Sequence, residues 1–305
     1  MGPDWLIGVD TDTDVCAETH GKSSSQNQRV LRRKPRPDGA DGASVYARFM
    51  VDVPRTRREP PMFRRVSVRG VELLTPFMAR VTLGGEELAG FAVDQPAASV
   101  RLLLPALGET ELVMPTWNGN IFLLADGEPA TIRTFTPRLF DSAANELRLD
   151  VVIHEAGAAS DWVQRAFVGD PAAISGPGRG YTVDAAASGF VLVGDETAMP
   201  AIGQLLEGLP HDRPARVMIE VRQPEARTDL PQHPLAKVDW LDLPRGAAPG
   251  AAMLETLAAA LIEPATRVWA AGEAGAMQRI RRHLFEQLDL PRAVATVRGY
   301  WKLRD

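Results

Sequence analysis

The sequence of 305 residues contains a single cysteine, Cys16. One thiol cannot form a disulfide within the chain or supply a cysteine-ligated zinc or iron–sulfur site, so we predict no resident metal and a reducing, cytoplasmic location. Long apolar runs are scarce as well, since Pro249, Gly250 and Glu255 interrupt the most apolar stretch, 247–262. A membrane span needs roughly 18 uninterrupted apolar residues, and the first residues lack a secretory leader, so neither feature is predicted.

Positive charge is in deficit. The chain has 34 Lys and Arg against 39 Asp and Glu, which gives a formal net charge of −5. Such a balance argues against a dedicated nucleic-acid-binding protein, which normally presents a basic surface. Hydrophobic residues make up 45% and charged residues 24%, values ordinary for a globular protein, and the length suggests about two domains. We expect a monomer.

The first 61 residues differ in composition from the rest. Acidic residues come first, a Ser-, Gln- and Asn-rich stretch (23–28) follows, and a basic run (32–37) comes next. This segment has too little apolar surface to offset the entropy lost on ordering, so disorder is predicted. We therefore divide the chain into an N-terminal extension (1–61), a β-rich domain (62–184) and an α/β domain (185–305).

The predicted β-rich domain consists of short segments in which apolar and polar residues alternate, as expected of half-buried strands. Turns rich in Gly, Pro and Asn separate them, and one clear helix is predicted over 158–167. This pattern favours a small antiparallel β-barrel. The predicted strands span residues 63–71, 77–83, 99–104, 111–114, 121–125, 129–136, 146–153 and 172–175.

After about residue 184, strands and helices alternate. The first strand is an unbroken apolar run, which is typical of a parallel strand buried on both faces. The order of elements predicts a doubly wound parallel sheet. The predicted strands are 189–194, 216–221, 237–241, 267–272 and 293–298, and the helices are 197–209, 252–261 and 273–287.

The predicted strand over 129–136 carries residues suited to a flavin. A β-barrel followed by a nucleotide-type α/β domain is the architecture of flavin-dependent reductases. A flavin needs a cation for its phosphate, an aromatic face for its ring and a hydrogen-bonding group near its reactive nitrogen. Alternation along the strand places Arg133 and Phe135 on one face and Thr136 on the other. An ordinary barrel strand is the alternative interpretation.

The turn at 154–162 connects a predicted strand to a predicted helix. Free amide groups at the start of the helix, together with Ser160, could hold a pyrophosphate. Ser160 could equally be an N-cap without a ligand, and His154 a structural histidine.

Two similar motifs, at 194–200 and 269–276, follow strands of the predicted parallel sheet. Open α/β sheets bind ligands at the carboxyl ends of such strands. Neither motif is the glycine fingerprint of dinucleotide-binding proteins, and carboxylates are poor neighbours for a phosphate. Glu196 and Glu273 could instead be helix-start residues that complement the helix dipole.

In this order and at this spacing, the motifs resemble those of the siderophore-interacting protein family, the flavin-dependent ferric-siderophore reductases of the ferredoxin-reductase-like superfamily. The resemblance runs from about Phe63 to Trp301. The Gly-Asp-Glu-Thr (194–197) and Gly-Tyr-Trp (299–301) elements are fairly specific to that family, whereas Arg-x-aromatic-Thr (133–136) is shared across the superfamily. The other matching elements are 154–162, 175–177, 269–273 and 281–284.

The resemblance implies an FAD site with two parts. Arg133, Phe135 and Thr136 would hold the flavin, with Phe135 against the isoalloxazine and Phe135 and Thr136 taking part in catalysis. The residues implied around the diphosphate and adenine are His154, Gly157, Ala159, Ser160 and Trp162. Phe135 stands where the family commonly has Tyr, and Ala158 stands where it usually has Pro. We expect these two departures from the family pattern to affect the affinity for FAD.

The resemblance also implies the reaction. NAD(P)H would donate a hydride to the flavin, and single electrons would pass to siderophore-bound Fe(III), which is held far less tightly once it becomes Fe(II). The residues implied at the nucleotide site are Gly194, Asp195, Glu196, Thr197, Gly272 and Glu273.

Cations are expected to recognise the two anionic reactants. We predict Arg101, Arg298 and Lys302 as contacts for an anionic ferric siderophore, with surface solvation as the alternative role for each. Arg222 and Arg227 are placed for the 2′-phosphate of NADPH. Three alternatives stay open: a ferredoxin as electron donor, a general NAD(P)H flavin reductase or oxygenase reductase, and a siderophore-binding module without flavin chemistry.

Overall fold

A computed structural model describes residues 62–106, 108–155 and 157–303. The predicted N-terminal extension and Cys16 lie outside these residues. The described residues contain two large sheets and a small separate hairpin, all within one compact unit.

The first large sheet is antiparallel, with the strand order β6-β3-β9-β1-β2-β8-β7. Its edge strands β6 and β7 are separated by Thr136 alone, so the chain passes from one edge directly to the other, as in a closed barrel. The predicted antiparallel flavin-type barrel is therefore confirmed. The strands are β1 (Phe63–Thr75), β2 (Met78–Gly84), β3 (Val100–Leu103), β6 (Ile132–Phe135), β7 (Pro137–Asp141), β8 (Glu146–Val152) and β9 (Pro171–Ser175), and the hairpin is β4 (Thr116–Trp117) with β5 (Phe122–Leu123).

The barrel core is made of the apolar positions of these alternating strands. Val68, Leu83 and Leu149 are fully buried there, and each such side chain contributes roughly 1.5–3 kcal/mol relative to exposure. A short helix, α1 (Ala158–Val163), adds Trp162 to the same cluster. The helix therefore lies against the barrel core.

The second large sheet is parallel, with the order β12-β11-β10-β13-β14. All seven residues of its central strand β10 are buried, which explains the unbroken apolar run in the sequence. The predicted doubly wound sheet is confirmed. Its elements are β10 (Gly189–Asp195), α2 (Met199–Gly208), β11 (Ala215–Val221), β12 (Ala236–Asp242), α3 (Ala251–Ala258), β13 (Thr266–Glu273), α4 (Ala274–Arg282) and β14 (Ala295–Trp301).

Two barrel predictions differ from the structure. The segment 111–114 was expected to be a strand but forms irregular chain, and the strand there begins at Thr116. Strand β7 was not predicted because Pro137, which cannot donate a ladder hydrogen bond, opens it. Among the described residues, no helix combines the length and apolar character needed to cross a membrane.

Candidate functional site

Strand β6 and the residue that follows it, Thr136, present the three residues predicted to bind flavin. Arg133 is half-buried and donates from Nη1 to the carbonyl oxygen of Ile132 at 2.9 Å. Phe135 is 9% exposed and belongs to the barrel core cluster that also contains Trp162. Thr136 is buried at the turn between β6 and β7. The structure thus brings Phe135 and Trp162, from two separate predicted motifs, into one cluster.

Tyr300 of the last strand reaches this same turn. Its hydroxyl group lies beside the side chain of Thr136, which favours the ionised phenol, but burial is the larger effect and raises the pKa of Tyr300. The Tyr300 ring also packs edge-on against Trp269, with the ring centroids 6.3 Å apart. The flavin-type strand of the barrel and the end of the parallel sheet therefore meet at Thr136. Tyr300 belongs to the family motif at 299–301, but no role in the site was predicted for it.

Arg298 connects β14 to the barrel through main-chain carbonyl groups. Its Nη1 donates to the oxygens of Ala97 (3.1 Å) and Arg179 (3.3 Å), and its Nη2 donates to that of Gly180 (3.0 Å). The guanidinium that was predicted to contact the siderophore is therefore bonded within the protein. We accordingly give Arg298 a connecting role in place of a contact with the substrate.

The two other predicted siderophore contacts are placed differently. Lys302 is exposed directly after β14. Arg101 is half-buried on β3, in register with Thr134 and Ser175 on the adjacent strands. The buried hydroxyl of Ser175 has no hydrogen-bond partner in the part of the chain that the structure describes.

The predicted pyrophosphate turn is held together by its own side chain. The Ser160 hydroxyl donates to the carbonyl oxygen of His154 (2.8 Å) and accepts from the His154 amide (3.1 Å). Gly157 has φ +142°, and a Cβ there would lie 2.6 Å from His154 Cε1. Only glycine permits this close turn, and no side chain caps the first turn of α1. Ser160 therefore shapes the turn, and the main-chain amides are the groups left to contact a phosphate.

The carboxyl edge of the parallel sheet carries a group of buried carboxylates that accept main-chain amides. Glu273 is the N-cap of α4 and accepts from the amide of Ala276 at 2.7 Å. Glu220 accepts from the amides of Gly250 (2.6 Å), Ala252 and Met253 at the start of α3. The helix starts that would otherwise attract a phosphate are thus occupied by internal carboxylates.

Asp195 and Glu196 at the end of β10 are similarly engaged. Asp195 Oδ1 accepts from the amide and hydroxyl of Thr197, and Oδ2 accepts from the Glu273 amide and the Trp301 indole. Glu196 accepts from the amide of Arg222 at 2.7 Å and forms an ion pair with its guanidinium at 3.1 Å. The prediction that these carboxylates contact a nucleotide directly finds no support in this geometry, because their oxygens are bonded within the protein.

The predicted phosphate cations are paired as well. Arg222 pairs with Glu196, and Arg227 pairs with Asp242 at 2.5 Å. Both side chains are more than a third exposed, so a bound anion could still compete for them.

A cleft of about 360 Å³ lies between the barrel and the start of α2. The sequence did not predict this cleft, because its walls come from segments that are far apart in the chain. Helix α2 continues a short 3-10 turn, Glu196–Ala198, whose N-cap Asp195 accepts from the Thr197 amide. The lining includes Arg80, Arg138, Asp150, Met199, Pro200 and Arg227.

The residues present fit an FAD. Strand β6 and Thr136 after it supply a guanidinium, a buried aromatic ring and a hydroxyl, and the turn at Gly157 leads into a helix start that no side chain caps. These are the groups that a flavin nucleotide requires for its phosphates, ring and polar edge.

Comparison with known proteins agrees with this arrangement. Residues 67–181 match the family model for the siderophore-interacting FAD-binding domain, and residues 187–304 match that for the siderophore-interacting protein. The structure resembles that of a siderophore utilization protein from T. fusca, with 34% identity, a TM-score of 0.71, and coverage of 80% of this chain and 94% of that one. The chain belongs to the siderophore-interacting protein family. The prediction of an FAD-binding barrel in this family is thereby confirmed.

Two relatives in the family have names that state an activity. One is the ferric vibriobactin reductase ViuB of Vibrio cholerae, 28% identical over 74% of this chain and 84% of its own length. The other is the NADPH-dependent ferric-chelate reductase of Escherichia coli, 28% identical over 81% of this chain and 96% of its own length. Proteins from Mycobacterium are 35% identical over 172 residues, and the matched region spans 61% of their length and 55% of this chain.

Proposed function

We propose that this protein is a flavin-dependent reductase that passes electrons from NAD(P)H to the Fe(III) of a ferric siderophore. The observation that carries the proposal is that Tyr300, on the last strand of the nucleotide-type sheet, lies beside Thr136 at the end of the flavin-type strand, while Arg298 of the same strand donates three hydrogen bonds to the barrel side. The names of the Vibrio and Escherichia relatives support the same reaction. The predicted cytoplasmic location stays a prediction.

The roles of the barrel residues follow from their chemistry. Arg133 neutralises phosphate, the exposed part of Phe135 contacts the ring, and the Thr136 hydroxyl bonds to a polar atom of the cofactor. The amides after Gly157 contact the diphosphate. When bound, FAD would accept two electrons as a hydride and allow them to be passed on one at a time.

The substrate site requires no protein ligand to the metal. The siderophore oxygens hold Fe(III), so the protein has only to place the chelate near the flavin and attract its negative charge. Lys302 and Arg101 are the cations that we retain for this task; Lys302 follows directly on the strand that carries Tyr300.

The nucleotide is proposed to lie in the cleft beside α2. The starts of α3 and α4 are occupied by Glu220 and Glu273, whereas Met199 and Pro200 of α2 line the cleft together with Arg227. A phosphate bound there gains the guanidinium of Arg227.

The decisive experiment follows the bound flavin under anaerobic conditions. The FAD-loaded chain is reduced with one equivalent of NADPH, and a ferric siderophore is then added. We expect the flavin to be reoxidised while Fe(II) is captured by a ferrous chelator. The matched control is the gallium(III) complex of the same siderophore, which has the same charge and shape but cannot accept an electron.

Three outcomes would contradict the proposal. Reoxidation of the flavin by the gallium complex would show that the metal is not the acceptor. Rapid reduction of added free FMN, without reduction of the ferric siderophore, would favour a general flavin reductase. Binding of the ferric siderophore by a chain that takes up no FAD would favour a non-catalytic module.

A further inference from the structure

The last strand of the parallel sheet contains a β-bulge at the candidate flavin site. Gly299 of β14 pairs with Gly272 of β13, but the next pair is Trp301 with Glu273. Tyr300 is therefore an extra residue without a register partner on β13. A bulge re-aims the side chain that it contains, and here that side chain lies beside Thr136.

The buried carboxylate of Asp195 accepts hydrogen bonds from both residues of the register pair that follows the bulge, Glu273 and Trp301. Asp195 Oδ2 accepts from the main-chain amide of Glu273 at 2.9 Å and from the indole Nε1 of Trp301 at 2.8 Å. The other oxygen is held by the amide of Thr197 at 2.9 Å and by its hydroxyl at 2.5 Å. Asp195 thus connects the central strand β10 to the bulge with a fixed carboxylate orientation.

The backbone beside Asp195 is shaped to admit this carboxylate. Gly272 has φ +155°, and a Cβ at that position would lie 2.5 Å from Asp195 Oδ2. A side chain at 272 would therefore push the carboxylate away from the bulge. Asp195 and Trp301 are both less than 10% exposed, so water does not compete freely for these bonds.

We propose that Asp195 is a positioning residue that holds the bulge in β14 and so aims Tyr300 at Thr136. Asp195 fixes Trp301 and its register partner Glu273, so it fixes the backbone at the end of the bulge and with it the direction of the Tyr300 side chain. The hydrogen bonds given above for Asp195 go to Thr197, Glu273 and Trp301 and not to Thr136. The consequence for catalysis rests on the proposed function, whereas the structural role does not.

The test compares Asp195→Asn with Glu220→Gln in the full-length chain. Glu220 is a matched control, because it is also a buried acid at the carboxyl edge and accepts three main-chain amides, none of them in β14. We expect Asp195→Asn to raise amide hydrogen exchange over 299–302 at least about tenfold, and Glu220→Gln to raise it only near 250–253. This measurement needs no cofactor.

The same variants loaded with FAD report on the site. We expect Asp195→Asn to change the visible circular dichroism of the bound flavin and to lower kcat for ferric siderophore reduction about tenfold, with KM within about twofold. Tyr300→Phe added to Asp195→Asn should lower kcat no further, because both act through one contact. If Asp195→Asn fails to fold, Trp301→Phe replaces it, since that change leaves the carboxylate and removes one donor.

The possible failures are distinguishable. Faster exchange over 299–302 with an unchanged flavin spectrum and kcat would overturn the positioning role and leave the proposed function intact. Equal effects of the Asp195 and Glu220 substitutions on every measurement would overturn it as well. A wild-type protein that binds FAD but reduces no ferric siderophore would refute the proposed function, and the flavin spectrum would still decide the role of Asp195.

Discussion

Asp195 illustrates how burial and hydrogen bonding oppose each other at a single residue. Burial raises the pKa of its carboxyl group to about 6, although hydrogen bonds from Thr197 and Trp301 favour the charged form. The neighbouring carboxylate of Glu196 raises it further. The group is thus ionised at neutral pH at a cost in folding free energy.

This cost gives a prediction for stability against pH. Because the pKa is higher in the folded state than its ordinary 3.8, protonation of Asp195 favours folding. Its stabilising contribution is complete below about pH 4 and is lost as the pH rises through about 6. We therefore subtract the free energy of unfolding of Asp195→Asn from that of the wild type. This difference should increase by up to about 3 kcal/mol as the pH is lowered from neutral to about 4.

Urea unfolding of both proteins at several pH values measures this difference. The Asn side chain does not titrate, so the subtraction removes contributions from all other groups. A difference that stays constant, or that shrinks as the pH falls, would show that the carboxyl group is not destabilised by burial.

Arg227 carries a prediction about the choice of nucleotide. Its guanidinium lines the cleft beside α2 and pairs with the exposed Asp242, a contact that a phosphate can displace. We expect Arg227→Ala to raise KM for NADPH about tenfold and KM for NADH less than twofold, because only NADPH has a 2′-phosphate. Arg222→Ala tests the second predicted cation in the same way.

Arg216→Ala is the control for both substitutions. Arg216 also pairs with an aspartate, Asp239, but it lies near the opposite end of β11 from the carboxyl edge. An unchanged ratio of the two KM values in Arg227→Ala and Arg222→Ala would discard the assignment of the 2′-phosphate to these residues.

At the level of elements, strand β6 concentrates the residues proposed to bind FAD. We expect Arg133→Ala to raise the dissociation constant of FAD at least tenfold, because a phosphate contact from a guanidinium is lost, at about 1.4 kcal/mol per factor of ten. Arg133→Lys keeps the charge but loses the planar fork, so it should give an intermediate value. Titration of the apoprotein with FAD gives these constants, and equal affinities for the wild type and Arg133→Ala would remove Arg133 from the site.

The strands and helices themselves were largely predictable from the sequence. Alternation identified β1, β2 and β8, and unbroken apolar runs identified β10, β11 and β13, because each pattern follows from which faces of a strand are buried. The predictions failed where a local signal was weak, as for the segment 111–114, or misleading, as for Pro137 at the start of β7.

The site was less predictable than the elements. A family motif singled out Asp195, Glu196 and Glu273, but their hydrogen-bond partners lie up to 106 residues away in the chain. The local pattern did allow Glu273 to be a helix-start residue, and it caps α4, but no local pattern indicates the bonds of Asp195 to Trp301 or of Glu196 to Arg222. Tyr300 was missed as a site residue for the same reason, because its role depends on a bulge whose register is set by β13.

On the scale of the whole molecule, a small number of polar contacts connect the two sheets. Gln204 of α2 accepts from the amide of Ala97 at 2.9 Å and donates to the carbonyl oxygen of Pro137 at 2.5 Å. Arg298 adds its three bonds to carbonyl oxygens of the barrel side. Gln204 bonds to Pro137, the residue after Thr136, and Arg298 lies two residues before Tyr300 on β14. Both sets of bonds therefore help to fix the geometry on which the proposed electron transfer depends.

Arg298 therefore allows two roles to be separated, that of a connection between the sheets and that of a siderophore contact. If it connects the sheets, Arg298→Ala should lower the free energy of unfolding by about 1–3 kcal/mol, since three carbonyl groups lose a charged donor, and should leave KM for the ferric siderophore within about twofold. The partly exposed pair Arg216–Asp239 provides the control, because Arg216→Ala should cost less than about 1 kcal/mol. Urea unfolding and steady-state kinetics on the same preparations decide between the roles. A rise in KM without loss of stability would return Arg298 to the substrate site, because the carbonyl contacts would then contribute nothing that water does not replace.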